Sequence, residues 1–499
     1  MAEHDTHTVP EAERADSATA SCAIPSGVGL AEPYTLSTTT IKPNLRPRDG
    51  DATAEASTRA IRRRVLDLAL PAVAEMAFSS FIQVINLIMV GRVGPAAVAA
   101  VGITTQPVFL ALAVFQALNV GATAMVARAI GADNPEEANE VTRQTILINV
   151  LLAIAFSVLG YVFSRDLVLF MGAGPDIVDV ATRYCQIIMA TLAFNTLTLS
   201  INSTLRGSGD TRTPMRVNMT ADALVVVFGF PLIYGMFGLP ALGAVGAAVA
   251  AGMARFVAFC LAASTIMSGK HVLRFSLKGS YKLNWGILRR IANLGLPAAG
   301  EQMVFRTGFT ILTKVMAGLG TEGFAAHQIV QNIMNLTMMP GQGLGVAATT
   351  LVGQNLGAKR PREAERSGWE AHRFGVISSV TLIVLFFTAA PLIMRLYTND
   401  AVVIAAGVIA LQVGTFGLIG QTDQQILSGG LRGAGDTVWP FVSTLVTVLG
   451  LRVVLAVVFV HGWHWGVKGA WAAFDIDQSV RAVFIYARFR SGRWKTRRV

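Results

Sequence analysis

The sequence LRGSGDTRTP at residues 205–214 returns as LRGAGDTVWP at residues 431–440. Two further blocks repeat: LALPAVAE (68–75) as LGLPAAGE (294–301), and GATAMVARAIGADNPEEA (121–138) as AATTLVGQNLGAKRPREA (347–364). The offset is 226 residues in all three pairs (431 minus 205, 294 minus 68, 347 minus 121). Self-similarity at one fixed offset is the signature of an internal repeat. The chain is therefore predicted to be a tandem duplication.

Apolar runs long enough to cross a membrane recur along both halves from residue 65 onward. A run of about 20 residues spans a hydrocarbon core of about 30 Å at about 1.5 Å per residue. Charged residues make up 14% of the chain, against about 25% in soluble domains, which excludes a soluble globular protein. The alternation typical of barrel strands is absent. The predicted spans are 65–90, 96–119, 141–164, 178–204, 213–235, 241–268, 287–317, 322–345, 365–391, 400–430, 437–461 and 466–489.

These spans predict an all-α membrane protein with twelve transmembrane helices in two homologous six-helix lobes around a central cavity. Six spans return the chain to the side where it started, so the two lobes are parallel repeats that can rock against each other. The expected divisions are a disordered cytoplasmic tail (1–60), the N-lobe (61–268), a cytoplasmic linker (269–286), the C-lobe (287–490) and a basic cytoplasmic tail (491–499). The first of these lacks the apolar stretch of a signal peptide.

The net charge of +11 is concentrated in loops on one side of the predicted spans. Basic residues crowd 270–290, 359–373 and 488–498, whereas the opposite loops hold only scattered ones. This is the positive-inside pattern, and it predicts a multi-pass inner-membrane protein with both termini in the cytoplasm. The expected contacts are the lipid bilayer and a small-molecule organic substrate, with no nucleic acid, and we expect a monomer.

Signatures of enzymes and of cofactor sites are missing from the sequence. The three cysteines lack CxxC spacing, so they indicate neither a disulfide framework nor a metal site. The glycine-rich stretches lack the context of a phosphate loop. We therefore expect a protein that is not an enzyme, has no cofactor and takes its energy from a gradient of H⁺ or Na⁺.

The blocks AAHQIVQNIMNLTMMPGQGLGVAATTLVGQNLGA (325–358), INLIMVGRVG (85–94) and IDQSVRAVFIYARFRSGRW (476–494), with the doubled LRGxGDT, resemble the multidrug and toxic compound extrusion (MATE) family. The resemblance runs from about residue 65 to the C-terminus. It implies a twelve-helix, two-lobed antiporter that performs multidrug (xenobiotic) efflux, exporting organic, often cationic, compounds in exchange for H⁺ or Na⁺. Family members often carry a coupling aspartate in the first helix, where this sequence has Asn86. An amide can ligate Na⁺ but cannot carry a proton.

Glu75 begins a polar stripe in the first span. Ser79, Gln83 and Asn86 follow it at +4, +8 and +11, which keeps all four near one helical face. An ionisable group in a span costs about 2.5 to 3.5 kcal/mol on insertion scales and is a functional hypothesis by default. The stripe is either a cation path, with a Na⁺ site at Glu75 and Asn86 as one form of it, or a buried hydrogen-bond network.

Three further acids are candidates for cation coupling: Asp222, Glu301 and Asp423. Glu301 stands at the repeat position of Glu75, and the family commonly places a coupling carboxylate in this helix. An ion pair with Arg306 is the competing interpretation. Asp222 and Asp423 resemble family acids in the fifth and tenth spans, although the spacing is not identical. Asp477, followed by Arg481 four residues later, is predicted to form an intrahelical pair.

The eighth span supplies the candidate substrate-binding face. His327, Gln331, Asn335 and Gln342 form a stripe interleaved with methionines, among them Met338. Amides and flexible, polarizable methionines suit a surface that repacks around varied ligands. His327 either carries protons or is a hydrogen-bonded core residue.

The arginines of the two LRGxGDT turns, Arg206 and Arg432, are expected at the lipid headgroup level. The basic residues expected inside the membrane are then only Arg306 and Lys314. The leading hypothesis is a secondary active exporter of small organic, cationic compounds. The alternatives are a flippase for a lipid-linked precursor, which should offer an arginine-rich cavity, an exporter specific for one native metabolite, and a passive channel.

Overall fold

The computed structural model describes residues 52–236, 238, 240–268, 273 and 282–497. The predicted tail therefore lies outside the described residues up to residue 51, and so does most of the 269–286 linker. Helix α1 starts at Ala52, so the last residues assigned to the 1–60 tail are helical. Helix α1 therefore extends into the segment that was assigned to the tail.

The first lobe contains six long helices. They are α1 (Ala52–Gly91), α2 (Pro95–Gly131), α3 (Pro135–Val162), α4 (Val178–Ser208), α5 (Arg212–Tyr234) and α6 (Gly243–Met267). A short helix, Ser164–Phe170, lies between α3 and α4. The second lobe contains α7 (Trp285–Ala317), α8 (Gly320–Gly357), α9 (Pro361–Arg395), α10 (Ala401–Gly414 and Leu418–Gly433), α11 (Val438–Gly462) and α12 (Gly466–Arg490).

Each predicted span overlaps one of these helices, and the twelve-helix, two-lobe prediction is confirmed. Eight of the described helices are long and apolar enough to cross a membrane on their own, and the two bent segments of α10 make a ninth. Helices α7, α8 and α12 complete the set. Polar and charged side chains lower the hydropathy of these three, Glu301 in α7 and Asp477 in α12 among them.

The duplication is visible in the backbone itself. Gly209 and Gly435, at equivalent positions of the two LRGxGDT turns, have φ of +96° and +83°. Asp133 and Lys359, also 226 residues apart, both adopt φ near +55° to +59°. Residues that carry a side chain rarely adopt positive φ, whereas glycine does so without strain. Glycine therefore suits positions 209 and 435. The repeated sequence therefore encodes repeated turn geometry.

The two lobes pack most closely at the end where α1 begins and α12 ends. A Cβ on Gly131 of α2 would lie 1.9 Å from the Gln354 carbonyl oxygen of α8, and one on Gly357 of α8 would lie 2.1 Å from the Arg128 carbonyl oxygen. These helices approach each other backbone to backbone because glycine has no side chain to separate them. Arg128 also donates to the carbonyl oxygen of Arg497 at 2.7 Å.

Two helices of the second lobe are irregular. The segments of α10 meet at an angle of 48° between Gly414 and Leu418. Helix α11 has two π-helical stretches, Val446–Arg452 and Val458–Gly462. Such π-bulges inside α-helices are frequent at functional sites, and Arg452 lies in the first of them.

The predicted basic tail 491–499 is folded back on the C-lobe as far as the structure describes it. A 3-10 helix, Arg493–Thr496, buries Trp494 completely against Phe489. Lys495 pairs with Glu365 at 2.6 Å. Lys495 therefore connects this segment to α9.

Candidate functional site

Glu75 of α1 is buried and paired with an arginine of the first LRGxGDT turn. Arg206 donates to Glu75 Oε1 at 2.5 Å, and Asn218 of α5 donates to the same oxygen at 2.6 Å. Asn202 in turn donates to Asn218 at 3.1 Å. The guanidinium of Arg206, which was expected at the lipid headgroup level, is paired with a buried carboxylate inside the lobe.

Glu301 of α7 forms the equivalent pair in the second lobe. Arg432 donates to Glu301 Oε2 at 2.7 Å, and Gln424 donates to Oε1 at 3.1 Å. Arg432, like Arg206, is therefore paired with a buried carboxylate inside its lobe. The competing pair of Glu301 with Arg306 does not form; Arg306 instead lies over the ring of Phe109 at 4.4 Å.

A central cavity of about 480 Å³ lies between the two lobes. The first lobe contributes Met76 of α1 and residues of α2 and α4, and the second contributes residues of α7, α8, α10, α11 and α12. The charged residues that line it are Arg206, Glu301, Arg306, Arg432 and Arg481. Side-chain amides make up much of the remaining polar wall: Gln116, Asn119, Gln302, Gln342, Gln424 and Gln425.

A smaller cavity of about 320 Å³, the first-lobe cavity, contains Asp222. Ser79 donates a hydrogen bond to Asp222, and Arg255 of α6 lies 3.6 Å from it. Gln83 and Asn86 also line this cavity. Three of the four predicted stripe residues thus share it with Asp222, whereas Glu75 reaches it only through Asn218.

Asp423 of α10 does not line either cavity. Its Oδ1 lies 2.8 Å from Nε2 of His372 in α9. His372 was not among the predicted site residues, since it lies 51 positions from Asp423 along the chain (423 minus 372). The neighbouring Gln424 and Gln425 face the central cavity instead.

The five residues predicted to bind substrate fall into two groups. Met338 and Gln342 line the central cavity. His327 is fully buried elsewhere, beside the Trp471 ring at a centroid distance of 5.6 Å, and neither ring nitrogen has a hydrogen-bond partner among the described residues. Gln331 and Asn335 are also absent from the wall of the central cavity.

Asp477 forms the predicted pair with Arg481, at 2.5 Å, and shares it with a second arginine. Arg452 of α11 also lies 2.5 Å from Asp477 Oδ2. All three side chains are at most 1% exposed. Two guanidinium groups and one carboxylate leave one net positive charge buried within the C-lobe.

A family of known proteins matches both halves of the chain. The model of the MatE family matches residues 71–234 and 297–458, once in each half. The chain belongs to the MatE family. The two matches start 226 residues apart (297 minus 71), the same offset as the sequence repeat.

Relatives of this MatE family protein are transporters. It is 29% identical over 446 residues to the probable multidrug resistance protein NorM of Thermotoga maritima, covering 88% of this chain and 94% of that protein. Among solved structures it is similar to MATE in complex with MaD3S, with a TM-score of 0.81, 24% identity and 88% and 97% of the two chains covered. A MOP superfamily transporter from Pyrococcus furiosus, described as having a binding pocket of reverse polarity, matches with a TM-score of 0.79 at 24% identity, covering 86% and 95%. At these identities the structures establish the fold alone.

A further buried acid of this MatE protein, which was not among the predicted site residues, lies beside the bend of α10. Asp475 of α12 is 7% exposed and lies against Gly417, where a Cβ would be 2.3 Å from Asp475 Oδ1. No described side chain donates a hydrogen bond to it. Gly417 lies at the bend of α10, so the Asp475 carboxylate contacts the bend.

Proposed function

We propose that this protein is a secondary active efflux transporter that exports small organic compounds in exchange for H⁺ or Na⁺. The two lobes alternate access to the central cavity by rocking against each other. The protein acts as a monomer in the inner membrane, with both termini in the cytoplasm, and performs no enzymatic reaction. The end at which the lobes pack closely is then the cytoplasmic end.

The observation that carries this proposal is the Glu301–Arg432 pair in the wall of the central cavity. A buried carboxylate beside a substrate-sized cavity is a place where a cation can bind from whichever side is open. A proton or Na⁺ on Glu301 removes the charge that holds Arg432 and Gln424 in place. The coupling ion therefore changes the wall of the cavity that the substrate occupies.

The first lobe offers a second coupling site at Asp222, Ser79 and Asn86. Carboxylate, hydroxyl and amide oxygens together form a donor set suited to a hard cation such as Na⁺. Asn86 contributes an oxygen but no titratable group, so a proton in this lobe would be held by Asp222 or Glu75. Asp423, beside His372, is the further acid proposed for the C-lobe.

A flippase for a lipid-linked precursor is the second candidate function. A flippase should offer an arginine-rich cavity, and Arg206, Arg306, Arg432 and Arg481 all line the central cavity. An exporter of one native metabolite fits the same cavity.

The test is efflux of a trapped fluorescent dye from proteoliposomes, with a pH gradient and a Na⁺ gradient imposed separately. We expect one gradient to drive efflux, and the variant Glu301→Gln to abolish that response while remaining folded. The matched control is Glu322→Gln, which removes an exposed acid at the start of α8. Flux that follows only the dye gradient would indicate a channel and contradict the proposal.

A further inference from the structure

The charges around the central cavity are not balanced. Four arginines and one glutamate line it: Arg206, Arg306, Arg432, Arg481 and Glu301. Behind this wall, Glu75 pairs with Arg206, and Asp477 is shared by Arg481 and Arg452. Five guanidinium groups thus face three carboxylates, which leaves two positive charges. An unbalanced charge in a membrane interior needs a counter-ion or a function.

Arg306 supplies one of the two excess charges. It is exposed, and no carboxylate of the described residues lies within 4.0 Å of it. Its guanidinium instead lies 4.4 Å from the ring centroid of Phe109 in the opposite lobe. A guanidinium stacked on an aromatic ring keeps its in-plane donors free for a second partner.

The second excess charge lies at Arg481. Its side chain is 1% exposed, and its Nε and Nη1 have no hydrogen-bond partner among the described residues. Nε of Arg432 and Nε of Arg206 also lack acceptors. Buried donors without acceptors are costly. The interior next to the cavity therefore holds more guanidinium donors than acceptors.

We infer that the compound carried in the central cavity has an anionic group, a carboxylate or a phosphate, which binds at Arg306 in the arginine-rich wall of the cavity. This inference deepens the proposed export function and rests on it for the direction of transport. Guanidinium groups bind both oxyanions through paired hydrogen bonds. Phe305, which also lines the cavity near Arg481, offers an apolar face to the rest of the molecule. A cavity of about 480 Å³ fits a small soluble organic anion.

An organic cation fits the same cavity poorly. The only acid in the described wall is Glu301, and Arg432 already neutralises it at 2.7 Å. A cation would meet four arginines and would have to displace Arg432 to reach a carboxylate. The expectation of a cationic substrate, which came from the family resemblance, is therefore not favoured by this cavity.

The inferred charge has a consequence for coupling. Neutralising Glu301 makes the cavity more positive and strengthens anion binding. Electrostatics alone would then make the coupling cation and the anion bind together. Exchange of one for the other therefore requires that the cation change the shape of the cavity as well as its charge. Loss of the Glu301 charge would instead weaken the binding of a cationic substrate.

The test measures binding without any gradient, by fluorescence anisotropy of the purified protein in phosphatidylcholine nanodiscs. The probes are carboxyfluorescein, an anion, and ethidium, a cation. We expect carboxyfluorescein to bind more tightly than ethidium, and Arg306→Gln to weaken it by about tenfold, the effect of losing one charge-assisted hydrogen bond. Lys314→Gln is the matched control, because Lys314 is basic, exposed and on the same helix but does not line the cavity; it should leave binding unchanged.

A second variant distinguishes an anionic substrate from a cationic one. Glu301→Gln should strengthen carboxyfluorescein binding. The inference would be overturned if ethidium bound more tightly than carboxyfluorescein, or if Arg306→Gln and Lys314→Gln had equal effects. It would also be overturned if Glu301→Gln weakened binding of the anion. Displacement of carboxyfluorescein by phosphatidate in the nanodisc, without displacement by soluble organic phosphates, would overturn the soluble anion in favour of a lipid headgroup. Because no gradient is present, this binding measurement remains valid even if the protein shows no coupled export.

Discussion

Glu301 lies 2.7 Å from Arg432, and the same pair occurs 226 residues earlier as Glu75 and Arg206 at 2.5 Å. In each lobe the acid lies on the first helix, one turn after a proline, and the arginine lies in the LRGxGDT turn that ends the fourth helix. The duplication has therefore kept a buried ion pair, and both arginines reach the central cavity. The most conspicuous sequence repeat of the chain thus forms part of the wall of its transport cavity.

The Glu301–Arg432 pair should show strong energetic coupling. Arg432→Gln leaves a carboxylate that is 4% exposed without its cation, and we expect a loss of about 3 to 5 kcal/mol in the free energy of unfolding. The double variant Glu301→Gln/Arg432→Gln should recover most of that loss, because no unpaired charge remains. Thermal unfolding in detergent checks the order of stabilities. Additive losses in the double variant would show that the pair is not coupled.

Two neighbouring acids of α12 should respond differently to the same substitution. Asp477→Asn leaves Arg452 and Arg481 buried against each other without a counter-charge, and we expect it to cost about 3 to 5 kcal/mol. Asp475→Asn removes a carboxylate that no described side chain satisfies, so stability should be unchanged or raised. Melting temperatures of both variants in detergent provide the comparison. A larger loss in Asp475→Asn than in Asp477→Asn would contradict the assignment of the structural ion cluster to Asp477.

Closure of the lobes at the end where α1 begins should depend on Gly357. A Cβ there would lie 2.1 Å from the Arg128 carbonyl oxygen, so Gly357→Ala should force the lobes apart at that end. The readout is maleimide labelling of Thr350→Cys, in a background whose native cysteines are serine. Thr350 is fully buried and donates to the Arg206 carbonyl oxygen across the lobes. Gly102→Ala is the control, since a Cβ at Gly102 meets no atom within 4 Å; equal labelling of the two variants would count against this closure.

Asn86→Asp should fold and transport. Asn86 lines the first-lobe cavity with Asp222 and Arg255, so a new carboxylate there faces a cavity that already holds a cationic group. Asn86→Leu is the comparison variant, because it removes the polar group altogether and should impair coupling. Yield of monodisperse protein and dye efflux are the measurements. Failure of Asn86→Asp to fold would show that this position does not correspond to the family's acidic position.

Much of the fold follows from the sequence because two signals act over long stretches. Apolar runs locate the helices, and the 226-residue repeat groups them into two lobes. Helix ends are less predictable: α2 and α8 extend twelve residues beyond the predicted ends at 119 and 345 (131 minus 119, 357 minus 345). Contacts between the lobes stabilise these extensions, and no local pattern in the sequence reports such contacts.

The candidate site is harder to predict, since it depends on which side chains meet across helices. The repeat identifies Glu75 and Glu301 as equivalent, but not their partners Arg206 and Arg432, which lie 131 residues away along the chain. Ser79, Gln83 and Asn86 share one helical face and line the first-lobe cavity. His327 belongs to a predicted polar face as well but does not line the central cavity. Spacing defines a face of a helix, whereas the direction of that face depends on packing that the sequence does not display.

The most direct test of the account is dye efflux from proteoliposomes containing wild-type protein or Glu301→Gln, with carboxyfluorescein and ethidium trapped in parallel samples. Gradients of H⁺ and Na⁺ are imposed one at a time, and Glu322→Gln is the control. We expect one inward gradient to accelerate export of the anionic dye in wild type and in the control, and to have no effect in Glu301→Gln. Gradient-driven export that is unchanged in Glu301→Gln would contradict it.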